Sequence, residues 1–165
     1  MKNLLTLAKL DENSGKLPES VFSANLLLEE LLDPYYEIAA EKGVSLSADF
    51  QSGVSLRANR ESITQLFSIL LDNAAKYTPS GGGIEASLSE NGKHVVFALR
   101  NTCDIPEDTN LRKLFDRFYR CDSARTQKDG GCGIGLSAAQ AIVHAHGGTI
   151  TASREGDSIL FTVKL

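Results

Sequence analysis

The chain has 165 residues, of which 42% are hydrophobic, and a formal net charge of −4 at pH 7. This length predicts a single domain with a substantial hydrophobic core, and the negative charge argues against nucleic-acid binding. Three cysteines without C-x-x-C spacing argue against a disulfide framework and favour a reducing compartment. Since no apolar run reaches membrane-spanning length, we expect a soluble, cytoplasmic domain without direct membrane contact.

The first half of the chain predicts helices separated by short strands. Apolar residues recur at helical spacing up to Gly43, which suits the position after a helix. Pro34 interrupts that pattern and predicts a kink or an early break. The predicted elements in chain order are a helical stub at 1–12, a helix from Val21 to Gly43, strands at 44–50 and 54–57, and a helix from Glu61 to Tyr77.

The second half predicts two hairpins around one further helix. Glu90-Asn91-Gly92 is a strong hairpin signal between alternating apolar runs. Residues 101–133 lack clear periodicity, and a loop this long in a compact domain is usually functional. The fold class is α+β, with a layer of helices on one face of a mixed, mostly antiparallel sheet. The predicted elements are strands at 84–89 and 94–100, a short helical piece near 111–118, a helix at 134–146, and strands at 149–154 and 158–165.

Asn73, Lys76 and Tyr77 lie together beside the apolar stripe of the helix from Glu61 to Tyr77. The amide oxygen of Asn73 suits a Mg²⁺ ion that already takes phosphate oxygens and water. Lys76 can neutralise phosphate charge, and Tyr77 can pack beside a base or a ribose. An ordinary helix C-terminus, with a lysine favourable to its dipole and a tyrosine at the core edge, explains the same residues equally well.

A glycine-rich segment follows a basic one in the second half of the chain. Residues 112–128 carry six basic and two acidic side chains, which suits an anionic ligand or partner, or a solvated surface. Gly130, Gly131, Gly133 and Gly135 then permit close backbone approach where a helix begins. The pattern is neither a P-loop nor a dinucleotide fingerprint, and a mobile loop alone would also explain it. Its place after the basic segment favours a closing lid over a rigid cradle.

Four motifs occur in a fixed order: Asn73-Ala74-Ala75-Lys76-Tyr77-Thr78-Pro79, then Leu114-Phe115-Asp116-Arg117-Phe118-Tyr119-Arg120, then Gly131, Gly133 and Gly135 with Leu136, and finally Ala141-Ile142-Val143 with His146-Gly147-Gly148 and Ile150. From about residue 17 onward the chain resembles the catalytic, ATP-binding domain of sensor histidine kinases, within the wider family of gyrase, Hsp90 and MutL. The resemblance implies a Bergerat-type two-layer fold with three helices on one face of a five-stranded sheet. Residues 1–13 resemble the end of a second dimerisation helix, and residues 14–165 the catalytic domain with an ATP lid at about 104–133.

The resemblance also implies a role for each matching position, with ATP and Mg²⁺ as the cofactors. Asn73 would bind Mg²⁺, Lys76 the phosphates, and Tyr77 the adenine side. Catalysis would be positioning and charge neutralisation, which suits the loose transition state of phosphoryl transfer. The implied catalytic residues are Asn73, Lys76, Arg120 and Arg125. The implied nucleotide-binding residues are Asn73, Lys76, Tyr77, Asn101, Ile105, Tyr119, Arg120, Gly131, Gly133, Gly135 and Leu136.

Two positions depart from the family pattern. Where the family usually has Asp-x-Gly-x-Gly, this chain has Asn101-Thr102-Cys103-Asp104-Ile105-Pro106, without either glycine. We place Asn101 in the position of the adenine-binding Asp, because its amide oxygen can accept a hydrogen bond, and keep Asp104 as the second candidate. Ile69 stands where the family often has Asn. One lost hydrogen bond predicts nucleotide binding weaker by about 0.5–1.5 kcal/mol.

The three histidines are not predicted to accept a phosphoryl group. His144 and His146 lie in the last turn of a predicted helix, where imidazole is favourable to the dipole, and His146 matches a structural turn of the family. A zinc site that combines them with Cys121 and Cys132 matches no familiar ligand spacing. We therefore expect the chain to carry the ATP-handling half of a kinase without its acceptor histidine.

The leading hypothesis is transfer of the ATP γ-phosphoryl group to a histidine on a dimerisation helix that this chain lacks. The implied partners are ATP, the dimerisation domain of the same protein and a response regulator, with the full-length protein in the bacterial inner membrane. The alternative is a non-catalytic, nucleotide-gated interaction module, motivated by the altered box at 101–106 and by Ile69. A serine kinase resembling anti-sigma factors is disfavoured by the helical stub and the motif at 115–120.

Overall fold

The computed structural model describes residues 18–119 and 133–165, which form a layer of helices packed on a sheet. The elements in chain order are β1 (Ser20–Ser23), α1 (Ala24–Lys42), β2 (Ser45–Phe50), β3 (Ser55–Ala58), α2 (Arg60–Tyr77), β4 (Gly83–Asn91), β5 (His94–Thr102), a 3₁₀ helix (Leu111–Phe115), α3 (Gly135–Ala145), β6 (Thr149–Glu155) and β7 (Ser158–Lys164).

Five strands form the main sheet in the order β2-β4-β5-β7-β6. Strand β2 runs parallel to β4, and the other neighbours are antiparallel, so the predicted mixed, mostly antiparallel sheet is confirmed. Burial alternates along β5, where Val95, Phe97, Leu99 and Asn101 are buried and the residues between them are partly exposed. Buried side chains of the sheet pack against the helices, as Phe97 of β5 does against Phe67, which gives the predicted two-layer α+β arrangement.

Helix α2 packs on the sheet through the predicted apolar stripe. Leu66, Phe67 and Leu70 are fully buried, and the Phe67 ring lies 4.8 Å from that of Phe97 on β5. Burying a side chain of this size contributes about 1.5–3 kcal/mol, so these contacts fix the helix on the sheet. Among the described residues, no helix combines the length and the apolar character needed to cross a membrane.

The N-terminal part of the fold corrects the predicted start of the first helix. Residues 20–23 form a strand that pairs antiparallel with β3, with Val21 opposite Arg57, in a separate two-stranded sheet. Helix α1 begins only at Ala24, because Ser23 caps it by accepting a hydrogen bond from the backbone N–H of Leu26. Helical periodicity cannot detect so short a strand when its partner is distant in sequence.

Pro34 does not end helix α1, so the predicted early break is wrong. The helix runs unbroken from Ala24 to Lys42 with Pro34 inside it. Pro34 is exposed, so water can hydrate the carbonyl oxygen that loses its helical partner. Gly43 follows the helix in the left-handed conformation, with φ of 69°, as its predicted position requires.

Both ends of helix α2 are hydrogen bonded to other residues. At its start, Asn59 accepts a hydrogen bond from the Ser62 N–H and donates its own backbone N–H to Nε2 of His146, 3.2 Å away. Nδ1 of His146 lies 2.7 Å from the carbonyl oxygen of Ile142, so this histidine has the structural role predicted for it. At the other end, Thr78 is the cap residue and donates its backbone N–H to a carbonyl oxygen of the last turn.

Candidate functional site

The last turns of α2 bring together the three side chains singled out beside its apolar stripe. Asn73, Lys76 and Tyr77 are all partly buried at the edge of the core. Nζ of Lys76 lies 5.3 Å from the centre of the Tyr77 ring, which is within cation–π range. The structure therefore places an amide, a cation and an aromatic ring at one end of one helix.

Lys42 at the end of α1 stabilises this turn from outside. Its Nζ donates to the carbonyl oxygens of Ala75 and Lys76, at 2.8 and 3.0 Å. These oxygens belong to the last turn of the helix, where carbonyl groups have no intrahelical partner. One turn earlier, the Tyr35 hydroxyl donates to Asp72 at 2.5 Å, and burial together with this carboxylate raises the pKa of Tyr35 above its ordinary value. Helix α1 thus fixes the turn that carries Asn73 and Lys76.

Thr78 connects the end of α2 to the end of β5. Its hydroxyl donates to the carbonyl oxygen of Ala74 at 2.7 Å, and Nδ2 of Asn101 donates to that hydroxyl oxygen at 3.2 Å. Nδ2 also donates to the backbone carbonyl oxygen of Thr102 at 3.1 Å. Thr78 is 0% exposed and Asn101 is 1% exposed. The predicted adenine-binding residue therefore lies directly beside the helix end that carries Lys76 and Tyr77.

One polar atom of Asn101 has no hydrogen-bond partner among the described residues. Its Oδ1 is buried and accepts no hydrogen bond within the part of the chain that the structure describes. A buried acceptor in this state typically costs about 1–3 kcal/mol, so such atoms are rare without a functional reason. Asp104, the second candidate, is exposed. Burial therefore favours Asn101 over Asp104 as an acceptor for a ligand in a pocket.

Arg154 of β6 holds the segment that follows Asn101. Its guanidinium donates to the carbonyl oxygens of Ile105 and Pro106, at 2.8 and 2.7 Å. Ile105 is partly buried and packs against the core, while the Cys103 N–H donates to the carbonyl oxygen of Asp157 at 3.0 Å. These contacts give the shortened box a defined backbone without the glycines that the family pattern has.

Phe118 and Gly133 flank residues that lie outside the described part of the chain. The Phe118 N–H donates to the carbonyl oxygen of Gly133 at 2.9 Å. Gly133 has φ of 64°, and a Cβ at this position would lie 2.9 Å from the backbone carbon of Phe118. The closeness of the two segments therefore requires glycine at position 133.

The start of α3 lies next to this contact. Gly135 and Leu136 open the helix and are both partly buried, and no side chain among the described residues caps its N-terminus. A helix N-terminus with unsatisfied N–H groups is favourable to an anion. Tyr119, also partly buried, precedes the undescribed residues.

Several predicted site residues lie outside the described residues, namely Arg120, Arg125 and Gly131, together with residues 1–13 and residues 120–132 of the predicted lid. Sequence reasoning missed the contributions of Lys42, Thr78 and Arg154. Thr78 lies inside the first of the four motifs, so the sequence could have identified it as a candidate site residue. Its hydrogen bond to Asn101 joins residues 23 apart, which no local spacing predicts.

The oxygen atoms at this site suit a Mg²⁺ ion that is held mainly by the phosphates of a bound substrate. No group of three His, Cys, Asp or Glu side chains able to hold a metal occurs within residues 18–119 and 133–165. Mg²⁺ keeps several waters and usually takes one or two protein oxygens together with substrate phosphates. A single neutral amide oxygen at Asn73 fits that pattern.

Comparison with known proteins identifies the family. Residues 58–165 match the model of the histidine kinase-, DNA gyrase B- and HSP90-like ATPases. The chain belongs to this family of ATPases. It is 32% identical to the probable sensor protein PcoS of Escherichia coli over 99% of its length, and 35% identical to the signal transduction histidine-protein kinase BaeS of E. coli K12 over 92%. It spans 34% and 32% of these two relatives, so it corresponds to about a third of each.

Solved structures agree on the fold. Full-length ShkA, crystallised in complex with AMPPNP, matches with a TM-score of 0.84 and 21% identity, over 99% of this chain and 34% of that one. The histidine kinase ThkA in complex with the response regulator protein TrrA matches with a TM-score of 0.77 and 21% identity, over 99% of this chain and 47% of that one. The predicted resemblance is confirmed, and the domain is of the ATP-dependent catalytic type found in two-component sensor histidine kinases.

Proposed function

We propose that this domain binds ATP with Mg²⁺ between the end of α2 and the segment after β5, and transfers the γ-phosphoryl group to a histidine on the dimerisation domain of the full-length protein. The observation that carries the proposal is the buried Oδ1 of Asn101, beside the helix end that bears Asn73 and Lys76, which accepts no hydrogen bond from any residue that the structure describes. An adenine amino group is a donor that would satisfy this acceptor.

Each side chain has a task that its chemistry fits. Asn101 orients the base, and Tyr77 and Ile105 supply apolar surface beside it. Lys76 neutralises phosphate charge, while the amide oxygen of Asn73 would help to hold Mg²⁺, which would supply further positive charge against the phosphates. The segment that closes over the triphosphate is formed or bordered by Tyr119, Arg120, Arg125, Gly131, Gly133, Gly135 and Leu136.

The reaction itself requires positioning more than covalent chemistry by this domain. A ring nitrogen of the acceptor imidazole forms a bond to the γ-phosphorus as the bond to the β–γ bridging oxygen breaks, and ADP leaves. Transition-state charge is spread over the γ-phosphoryl oxygens, so a lysine and arginines nearby lower the barrier electrostatically. The phosphoryl group would then pass to a response regulator, in keeping with the complex of ThkA with TrrA.

The chain is proposed to be one part of a longer sensor protein. PcoS is named as a probable sensor protein and BaeS as a signal transduction histidine-protein kinase, and this chain covers about a third of each. We propose that residues 1–13 continue a dimerisation helix, that residues 14–165 are the catalytic domain, and that the full-length protein is anchored in the bacterial inner membrane with this domain on its cytoplasmic side.

Calorimetric titration of ATP with Mg²⁺ tests the nucleotide site. We expect micromolar to sub-millimolar binding that Asn73→Ala and Asn101→Ala each weaken strongly. Asn91→Ala, at the exposed last position of β4 beside the hairpin turn, is the matched control and should bind as the parent does. Failure of the folded parent domain to bind would contradict the proposed site.

Phosphotransfer needs a second experiment. The purified domain is mixed with a dimerisation fragment of the full-length protein and with ATP labelled at the γ-phosphate. Label on the acceptor histidine is expected, and none should appear with Asn73→Ala. If the fragment stays unlabelled while the domain binds ATP normally, the domain is a nucleotide-gated interaction module and not a kinase.

A further inference from the structure

The orientation of the Asn101 amide is fixed by two neighbours that can only accept from it. The backbone carbonyl oxygen of Thr102, 3.1 Å from Nδ2, has no proton to donate. The Thr78 hydroxyl has one proton, which it donates to the Ala74 carbonyl oxygen at 2.7 Å, so its oxygen is an acceptor towards Asn101. An amide turned by 180° would place its oxygen against two other oxygens. The hydrogen-bond network therefore assigns nitrogen and oxygen without ambiguity.

Packing around Thr78 keeps its hydroxyl in this arrangement. Thr78 is 0% exposed, and a Cβ at Gly82 would lie 2.9 Å from its Cγ2 and 3.1 Å from Cβ of Thr102. The loop after α2 therefore closes directly over the threonine. The Gly83 N–H donates to the Thr102 hydroxyl at 3.2 Å, which ties the same loop to the end of β5. A β-branched side chain with this packing has little freedom to rotate.

From this geometry we infer that Thr78 is a positioning residue for base selectivity, which it sets by locking Asn101 with its Oδ1 towards the base. The inference rests on the proposed nucleotide site and adds to it a residue that does not itself touch the nucleotide. Both oxygens of a carboxylate accept hydrogen bonds, so a carboxylate turned by 180° still presents an acceptor to the base. In an amide the two ends differ, so a neutral Asn needs such a lock.

The locked amide discriminates between purines by the group at position 6. Adenine has an amino donor there, which Oδ1 can accept, whereas guanine and hypoxanthine have a carbonyl acceptor that opposes Oδ1. To bind a 6-oxopurine, the amide must turn and break its bonds to both Thr78 and Thr102. In Thr78→Val only the bond to Thr102 is broken, so discrimination against 6-oxopurines should weaken.

The test compares ATP with ITP, each with Mg²⁺, by calorimetric titration of the parent domain and its variants. ITP has the 6-oxo group without the 2-amino group of GTP, so it isolates the group that Oδ1 faces. In Thr78→Val we expect the ATP-to-ITP affinity ratio to fall about 2- to 13-fold, which is the worth of one hydrogen bond. Thr78→Ser keeps the hydroxyl and should restore the parent ratio.

Thr64→Val, within the helix that Thr78 caps, is the matched control. Its hydroxyl donates to the Arg60 carbonyl oxygen at 2.8 Å, the same bond to the fourth preceding residue that Thr78 makes, but it has no contact with Asn101. This control should leave the ratio unchanged. If thermal denaturation shows that Thr78→Val does not fold cooperatively, Thr78→Cys takes its place, because a thiol is only a weak acceptor, and a smaller fall in the ratio is expected.

The outcomes separate the inference from the proposed function on which it rests. If the parent binds ATP and Thr78→Val binds ATP and ITP more weakly by the same factor, the inference is overturned and the proposed nucleotide site stands. A folded parent that binds neither nucleotide would overturn both. A ratio that falls in Thr78→Val and recovers in Thr78→Ser supports the lock, because a purely structural role would not change the ratio.

Discussion

Gly133 accepts a hydrogen bond from the backbone N–H of Phe118 at 2.9 Å, and its own backbone leaves no room for a side chain. A Cβ there would lie 2.9 and 3.0 Å from backbone atoms of Phe118 and 3.0 Å from the carbonyl oxygen of Tyr119. Phe118 is itself in the left-handed region, with φ of 66°, and is 72% exposed. Two residues far apart in sequence are thus joined where the glycine-rich segment meets the phenylalanine-containing motif.

Gly133→Ala should separate these two segments and weaken nucleotide binding. A non-glycine residue at φ of 64° costs about 1–2 kcal/mol, and the backbone contacts add to that cost. We expect a loss of ATP affinity by calorimetry of at least about fivefold, with a cooperative thermal transition retained. Gly92→Ala is the control, because Gly92 has φ of 65° but no atom near its would-be Cβ. Equal affinity losses in both variants would show that backbone strain alone matters.

Lys42→Met should destabilise the domain and also weaken its nucleotide site. The ammonium group donates to two carbonyl oxygens of the last turn of α2, and a bond from a charged donor is worth about 1.5–3 kcal/mol. The loss leaves the turn that carries Asn73 and Lys76 less firmly held. We expect a lower urea midpoint together with weaker ATP–Mg²⁺ binding.

Lys42→Arg, which keeps the charge, should recover part of both losses, and Lys93→Met in the exposed hairpin turn should change neither. Reduced stability with unchanged ATP affinity would show that the turn keeps its shape without Lys42.

The helix that carries the site was predictable because its signals are local. Sequence periodicity placed it at Glu61–Tyr77, and the structure has Arg60–Tyr77, with Asn73 and Lys76 on the expected flank. The hairpin between β4 and β5 was also predictable, since Gly92 provides the positive φ that its two-residue turn needs.

Features that depend on distant residues were not predictable in this way. Strand β1 forms because it pairs with β3, and no local pattern within Ser20–Ser23 predicts that pairing. Likewise, the bond from Asn101 to Thr78 joins a strand end to a helix end. Resemblance identified Asn101 as an acceptor, but only the structure shows which neighbours hold its amide.

His146→Ala should lower stability without changing nucleotide affinity. The imidazole accepts the backbone N–H of Asn59 at the start of α2 and bonds to the Ile142 carbonyl oxygen in α3. Removal leaves a partly buried N–H unpaired, at a cost of about 1–3 kcal/mol in the free energy of unfolding. Urea denaturation measures this change.

His144→Ala is the control, because His144 is exposed in the same helix and its loss should cost less than about 0.5 kcal/mol. ATP binding should match the parent in both variants. A large loss of affinity in His146→Ala would contradict the purely structural role.

Tyr35→Phe should remove one source of pH dependence from the stability of the domain. Burial, the hydrogen bond to Asp72 and the charge of that carboxylate all raise the pKa of Tyr35 above its ordinary value of 10.0. The folded state therefore binds this proton more tightly than the unfolded state. The resulting stabilisation is fully present below pH 10 and is lost as the pH rises above it.

Urea denaturation of the parent and of Tyr35→Phe at pH 8 and above pH 10 measures this effect. At pH 8 the variant should be less stable by about 0.5–1.5 kcal/mol, because it lacks the hydrogen bond to Asp72. Above pH 10 the parent should lose stability faster than the variant, so the difference between them should shrink. Tyr36→Phe, at an exposed neighbour, should follow the parent at every pH. A constant difference between parent and Tyr35→Phe would mean that the Tyr35 proton is bound equally tightly in both states.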